Sequence, residues 1–135
     1  MRIKCQHNLN FGKVYTGTEN TNMTRTQKDV IDDIEYQLDE KNYVHKLEKI
    51  GYDVYLEPNT DSYSVEVALL KNARFSKNSN FVFDKIVKIG KFVVDAGYKY
   101  KKIQDACSVE RLESVLYNFF KNESRGKYKR FVNYL

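Results

Sequence analysis

The sequence predicts an α+β fold, a small antiparallel sheet packed against three or so helices in a single compact domain. Three observations predict it. Apolar and polar residues alternate, the period-two mark of a half-buried strand, at 3–7, 52–57 and 62–69. Apolar residues recur at three- and four-residue spacing, the mark of an amphipathic helix, through 30–38 and 109–120. The 135 residues, 41% hydrophobic and 30% charged, suffice for one folded core and are too few for two. The regular strand–helix–strand rhythm of a doubly wound sheet is missing.

Taken in order, Ile3, Cys5 and His7 share one side of a first strand, and Phe11–Tyr15 reads as a turn and a second short strand. Residues 16–23 are polar and turn-forming, and predict a loop. A helix starts after Thr24 or Thr26, whose hydroxyl can accept from an orphan N–H of the first turn. Its inner face is Val30, Ile31, Ile34 and Leu38; the phase changes near Lys41-Asn42, a short second helix follows, and Gly51 ends it. Residues 52–57 and 62–69 form an antiparallel hairpin around the turn at 58–61, with Val65, Val67 and Leu69 on one face. Residues 72–80 predict a polar loop. Residues 81–96 predict a helix lying on the sheet, ended by Gly97, with Phe81, Val82, Ile86, Ile89 and Val93 inward and Asp84, Lys85, Lys88 and Lys91 outward. A last helix runs from a Ser108 cap to about Lys121, and a basic, aromatic tail ends the sequence.

No run of residues is long and apolar enough to span a bilayer, and the first residues carry no signal-peptide pattern, so the expectation is a cytoplasmic protein without a membrane partner. Cys5 and Cys107 are then expected as free thiols. With His7 and His45 they make a formal two-Cys, two-His set, but only one pair is closely spaced, so neither a metal nor any other cofactor is assigned.

Charge is segregated. The net +5 divides into an acidic half, 1–67, with 8 basic and 12 acidic residues, and a basic half, 68–135, with 15 and 6. Within the basic half, Tyr98, Lys99, Tyr100, Lys101 and Lys102 interleave rings with cations, as do Lys127, Tyr128, Lys129, Arg130, Phe131 and Tyr134. Lysines that follow phosphates and rings that stack on unpaired bases are what single-stranded nucleic acid requires. Arg74 and Lys77 extend that patch if they lie on the same side. The same alternation also describes an edge strand with its rings buried and its lysines blocking aggregation.

In the acidic half, Asp29, Asp32, Asp33, Glu35, Asp39 and Glu40 crowd one helix. Such a surface can occupy a protein groove that normally holds nucleic acid, as small phage proteins that block host nucleases do. Acids near a helix N-terminus are also favoured by the helix dipole, which would account for them without a partner.

Phosphate-binding glycine loops and nucleophile elbows are absent. The order helix, strand, hairpin, helix, with Asp53, Glu57 or Asp61 followed by Glu66, resembles the core of PD-(D/E)xK nucleases. That resemblance implies a divalent metal held by two acids and a water activated by lysine. Here Ala68 stands where the family's lysine belongs, and Lys71 is out of phase. The expected function is therefore a small non-enzymatic binding protein acting on nucleic acid or on a nucleic-acid-handling protein, as accessory factor or inhibitor. A degenerate metal-dependent nuclease and a subunit that self-associates through exposed tyrosines are the alternatives.

Overall fold

The computed structural model describes residues 3–5, 14–17, 23–75, 81–94 and 106–123, the first group by its backbone alone. Six strands form one sheet in the order β1 (Ile3–Cys5), β2 (Val14–Gly17), β3 (Tyr52–Pro58), β4 (Val65–Lys71), β7 (Lys85–Val93), β8 (Ala106–Ser108). β5 (Arg74–Phe75) and β6 (Phe81–Val82) make a separate two-stranded ribbon. Three helices, α1 (Arg25–Glu40), α2 (Tyr43–Lys49) and α3 (Leu112–Glu123, entered through a 3-10 turn at Val109–Arg111), complete the described part.

The α+β class holds, but the sheet is mixed. β2 runs parallel to β3, because the chain between them crosses over through α1 and α2, and β8 runs parallel to β7. The other three pairings are antiparallel.

All three helices cover one face of the sheet. Val30, Ile31, Ile34 and Leu38 of α1, Leu47 of α2, and Leu112, Leu116, Phe119 and Phe120 of α3 pack on Val54, Leu56, Val65, Val67, Leu69 and Phe92. Each fully buried aliphatic of this size contributes about 1.5–3 kcal/mol. Rings fix the outer helices: Tyr52 meets Phe119 edge-on at 5.3 Å, and Tyr43 stacks on Phe120 at 6.0 Å. The opposite face of the sheet buries Tyr15, Tyr55, Ala68 and Leu70.

The start of α1 is bolted to the hairpin. Thr24 caps the helix: its Oγ1 accepts from the Gln27 amide, and Gln27 Oε1 accepts from the Thr24 amide at 3.1 Å. Gln27 is fully buried, and its Nε2 donates to the carbonyls of Asn59 (2.6 Å) and Ser64 (3.0 Å) in the β3–β4 turn. Thr24 Oγ1 adds a donation to Ser62 O at 2.8 Å. The break at Lys41-Asn42 falls where expected. Asn42 adopts the left-handed conformation (φ 56°), which its short polar side chain tolerates, and α2 restarts beside it. Gly51, with φ 89°, ends α2.

Four expectations are corrected. The helix expected over 81–96 is not formed in its described part, 81–94: Phe81–Val82 and Lys85–Val93 are strands. The cause is a β-bulge. Val67 faces Gly90 while Ala68 faces Lys88, so Ile89 is an extra residue on β7. A bulge adds one residue to the alternation. The apolar positions therefore step by three at that point, which in sequence imitates a helical face. Second, Arg74–Phe75 inside the expected loop at 72–80 pairs with β6. Third, Ser62, Tyr63 and Ser64 belong to the turn, so β4 starts at Val65. Fourth, β2 extends through Thr16 and Gly17, where a loop was expected.

The hairpin turn is organised by Asp61, which accepts from the amides of Tyr63 and Ser64 at 2.8 Å each and from the Ser64 hydroxyl at 2.5 Å. Partial burial pushes the Asp61 carboxyl up. The bonds from Ser64 and Tyr63, with the nearby Lys91 ammonium, outweigh that push and hold it below the usual aspartate value. A carboxyl depressed by folding adds stability at pH values above its unfolded pKa, and that stability is lost as pH falls through the lower folded value. Asp61→Ala is expected to destabilise the protein at pH 7 by about 1–3 kcal/mol, the cost of unpaired turn amides. It should also flatten the stability loss below about pH 4. Urea melts at pH 7 and pH 3 check both; an unchanged acid slope overturns the assignment.

Candidate functional site

The acidic helix α1 and the described sheet lysines Lys88 and Lys91 lie on opposite sides of the sheet. α1 lies on the Val65, Val67 and Leu69 side of the sheet. Lys88 and Lys91 lie on the other side with Glu66, and the bulge is what puts these two lysines, three positions apart, on one face.

On the sheet side, the acids and bases engage each other. Lys88 Nζ lies 3.7 Å from Glu66 Oε1. Lys91 sits opposite Glu66 in register and acts electrostatically on Asp61. The Tyr55 hydroxyl donates to Glu57 Oε2 at 2.9 Å, and a Cβ at Gly17, on the neighbouring strand, would lie inside that carboxylate. Gly17 is thus the space into which Glu57 folds.

The nuclease-like acids do not gather. Glu57 faces Glu66 across the hairpin, but Asp53 is paired with Leu70, and four residues of strand put it roughly 13 Å from Glu57. Asp61 is committed to the turn. Among the described residues, no three of His, Cys, Asp and Glu are grouped so as to hold a metal ion. His45 lies on α2 beside Glu48, at 3.8 Å, and Cys107 is a free thiol on β8. His7 and the side chain of Cys5 lie outside the described residues.

Of the residues expected to contact nucleic acid, Arg74 is on β5. Its guanidinium donates to Asn72 O at 2.9 Å and lies 3.6 Å from an Asp84 oxygen. Lys77, Tyr98, Lys99, Tyr100, Lys101, Lys102, Lys127, Tyr128, Lys129 and Arg130 lie outside the described residues.

The helical side differs. Asp29, Asp32, Asp39 and Glu40 are exposed along the outer face of α1, with Asp33 and Glu35 half-buried beside them. Among the described residues, Asp29, Asp32, Asp33, Asp39 and Glu40 form no side-chain ion pair, although Arg25 and Lys28 lie one turn before Asp29 and Asp32. Nor does the helix dipole account for these acids. The first turn of α1 holds none, whereas Asp39 and Glu40 occupy the last turn, which has no basic residue. There the partial negative charge of the helix end disfavours them. The dipole explanation therefore fails for Asp39 and Glu40.

Tyr36, 64% exposed, stands in the middle of this stripe. Its position one turn from Asp32, Asp33, Asp39 and Glu40 follows from helical spacing alone. The sequence could not show Glu113 of α3 approaching Glu40: both line one cleft, with Tyr43 at its side. Burial, and next the Glu113 carboxylate, hold the Tyr43 phenol above its ordinary pKa.

No helix among the described residues is long and apolar enough to cross a membrane. No family model, curated protein or solved structure matches the chain.

Proposed function

We propose that this chain is a small non-enzymatic binding protein that acts on a nucleic-acid-handling protein, as accessory factor or inhibitor. It would do so by laying the acidic outer face of α1 into a basic groove. One observation carries the reading: Asp29, Asp32, Asp39 and Glu40 of α1 are exposed and form no ion pair among the described residues, and Asp39 and Glu40 are set against the helix dipole, while Glu57, Asp61 and Glu66 on the sheet side have partners within the chain. Acids in the last turn of α1 cost helix stability, and a cation outside the chain would offset that cost. Complementary charge speeds encounter and rejects acidic competitors, and an exposed tyrosine supplies the rigid anchor on which interface energy concentrates. A small phage or mobile-element protein of the anti-defence type, occupying a groove that normally holds phosphate, fits this reading.

Of the described basic residues, Arg74, Lys88 and Lys91 have acids beside them, so these three do not favour direct contact with nucleic acid. The test has two arms. Immobilised protein is expected to retain nucleic-acid-binding proteins from a lysate, with salt releasing them and Asp29→Lys/Asp32→Lys/Asp39→Lys failing to retain them. In parallel, anisotropy with labelled single-stranded DNA, duplex DNA and RNA is expected to show no binding at physiological salt. Retention of the same proteins by the triple variant overturns the reading. Micromolar binding to a nucleic acid with a steep salt slope moves the function to the basic half.

A further inference from the structure

The cleft between the end of α1 and the start of α3 is small, about 30 Å³. Sites for metabolites and cofactors usually enclose about 300–1,000 Å³. This cleft suits the end of one side chain. Its floor is apolar, formed with Leu112 and Leu116, while Glu40 lines it from α1 and Glu113 from α3. Both carboxylates are exposed, and among the described residues neither forms an ion pair. Glu113 stands in the first turn of α3, where the dipole favours an acid; Glu40, in the last turn of α1, has no such reason to be there. The effect of Glu113 on Tyr43 agrees with a negative field inside the cleft.

We propose that this cleft receives an arginine side chain of the protein partner, with Glu40 and Glu113 accepting from its guanidinium above the Leu112–Leu116 floor. The inference rests on the reading of α1 as the partner-binding face. Arginine fits better than lysine for two reasons. Its planar fork offers five donors, enough for carboxylates on two walls. It is also less strongly hydrated than an ammonium, so an apolar floor costs it less. Lys41 lines the same cleft and forms no ion pair among the described residues. It is therefore a competitor, and its removal should help the incoming cation.

The probe is fluorescein-labelled nonaarginine, with nonalysine beside it, titrated by anisotropy at physiological salt against the full chain and its variants. Glu40→Gln and Glu113→Gln are each expected to weaken nonaarginine binding about three- to tenfold, in line with loss of one charge-assisted acceptor, with the thermal midpoint unchanged. Lys41→Gln should tighten it about two- to fivefold by removing a like charge. Nonalysine should bind more weakly and respond less to Glu113→Gln. If both glutamine variants bind like the parent while Asp29→Lys/Asp32→Lys/Asp39→Lys does not bind, the cleft is overturned and the acidic face stands. If the triple variant binds nonaarginine as the parent does, both are overturned. Equal affinity and equal Glu113 sensitivity for the two peptides overturn the guanidinium assignment.

Discussion

Gln27→Ala is expected to lower the stability of this protein by about 2–4 kcal/mol, the range for deleting a buried polar hub. The Gln27 side chain is fully buried and closes three hydrogen bonds: it donates to the carbonyls of Asn59 and Ser64 and accepts from the Thr24 amide. Alanine leaves the Thr24 amide without its acceptor, takes one of two donors from each of the Asn59 and Ser64 carbonyls, and leaves a void. For a chain of this length the thermal midpoint should fall by roughly 6–15 °C. Gln27→Met separates the causes, since it preserves most of the volume and removes the bonds. Methionine should cost nearly as much as alanine if hydrogen bonding dominates. Guanidinium melts of both variants read the outcome; a loss below about 1 kcal/mol for either shows that the helix start and the turn hold together without this link.

The largest functional effect is expected on α1. Asp29→Lys/Asp32→Lys/Asp39→Lys should weaken the captured partner by about 100-fold or more, since three attractions become three repulsions across one interface. Tyr36→Ala alone should cost about 30-fold, as truncated aromatic anchors do. Folding should be nearly indifferent. Reversal at Asp39 gains about 0.3–1 kcal/mol from the helix dipole. Lysines at 29 and 32 lose a similar amount by facing Arg25 and Lys28 one turn earlier. Tyr36 is too exposed to matter to the core. Titration calorimetry with the purified partner, beside thermal melts, checks the pair of expectations. Weakened binding together with a collapsed midpoint would assign these residues to stability, and unchanged binding would remove α1 from the interface.

What the sequence determined by itself is what depends on near neighbours. The Thr24 cap, the Val30–Leu38 face, the interruption at Asn42, the Gly51 stop, the β3–β4 hairpin and the Ser108 start of the last helix were all legible. Each is set by residues within a turn or a hairpin of one another. The acidity of α1 was legible for the same reason. Tertiary structure decided what depends on a neighbouring strand or helix. β7 looked helical because the bulge at Ile89 exists only against β4. The parallel pairings of β2 with β3 and of β7 with β8 depend on how the chain crosses over between them. Whether an acid is spent or available is equally non-local. Glu66 is engaged because β7 brings Lys88 beside it, whereas Asp29, Asp32, Asp39 and Glu40 face outward from a helix whose other side is buried. The cleft joins Glu40 to Glu113 only because α1 and α3 pack on the same face of the sheet, and helical spacing, which reaches four residues, carries no information about that distance.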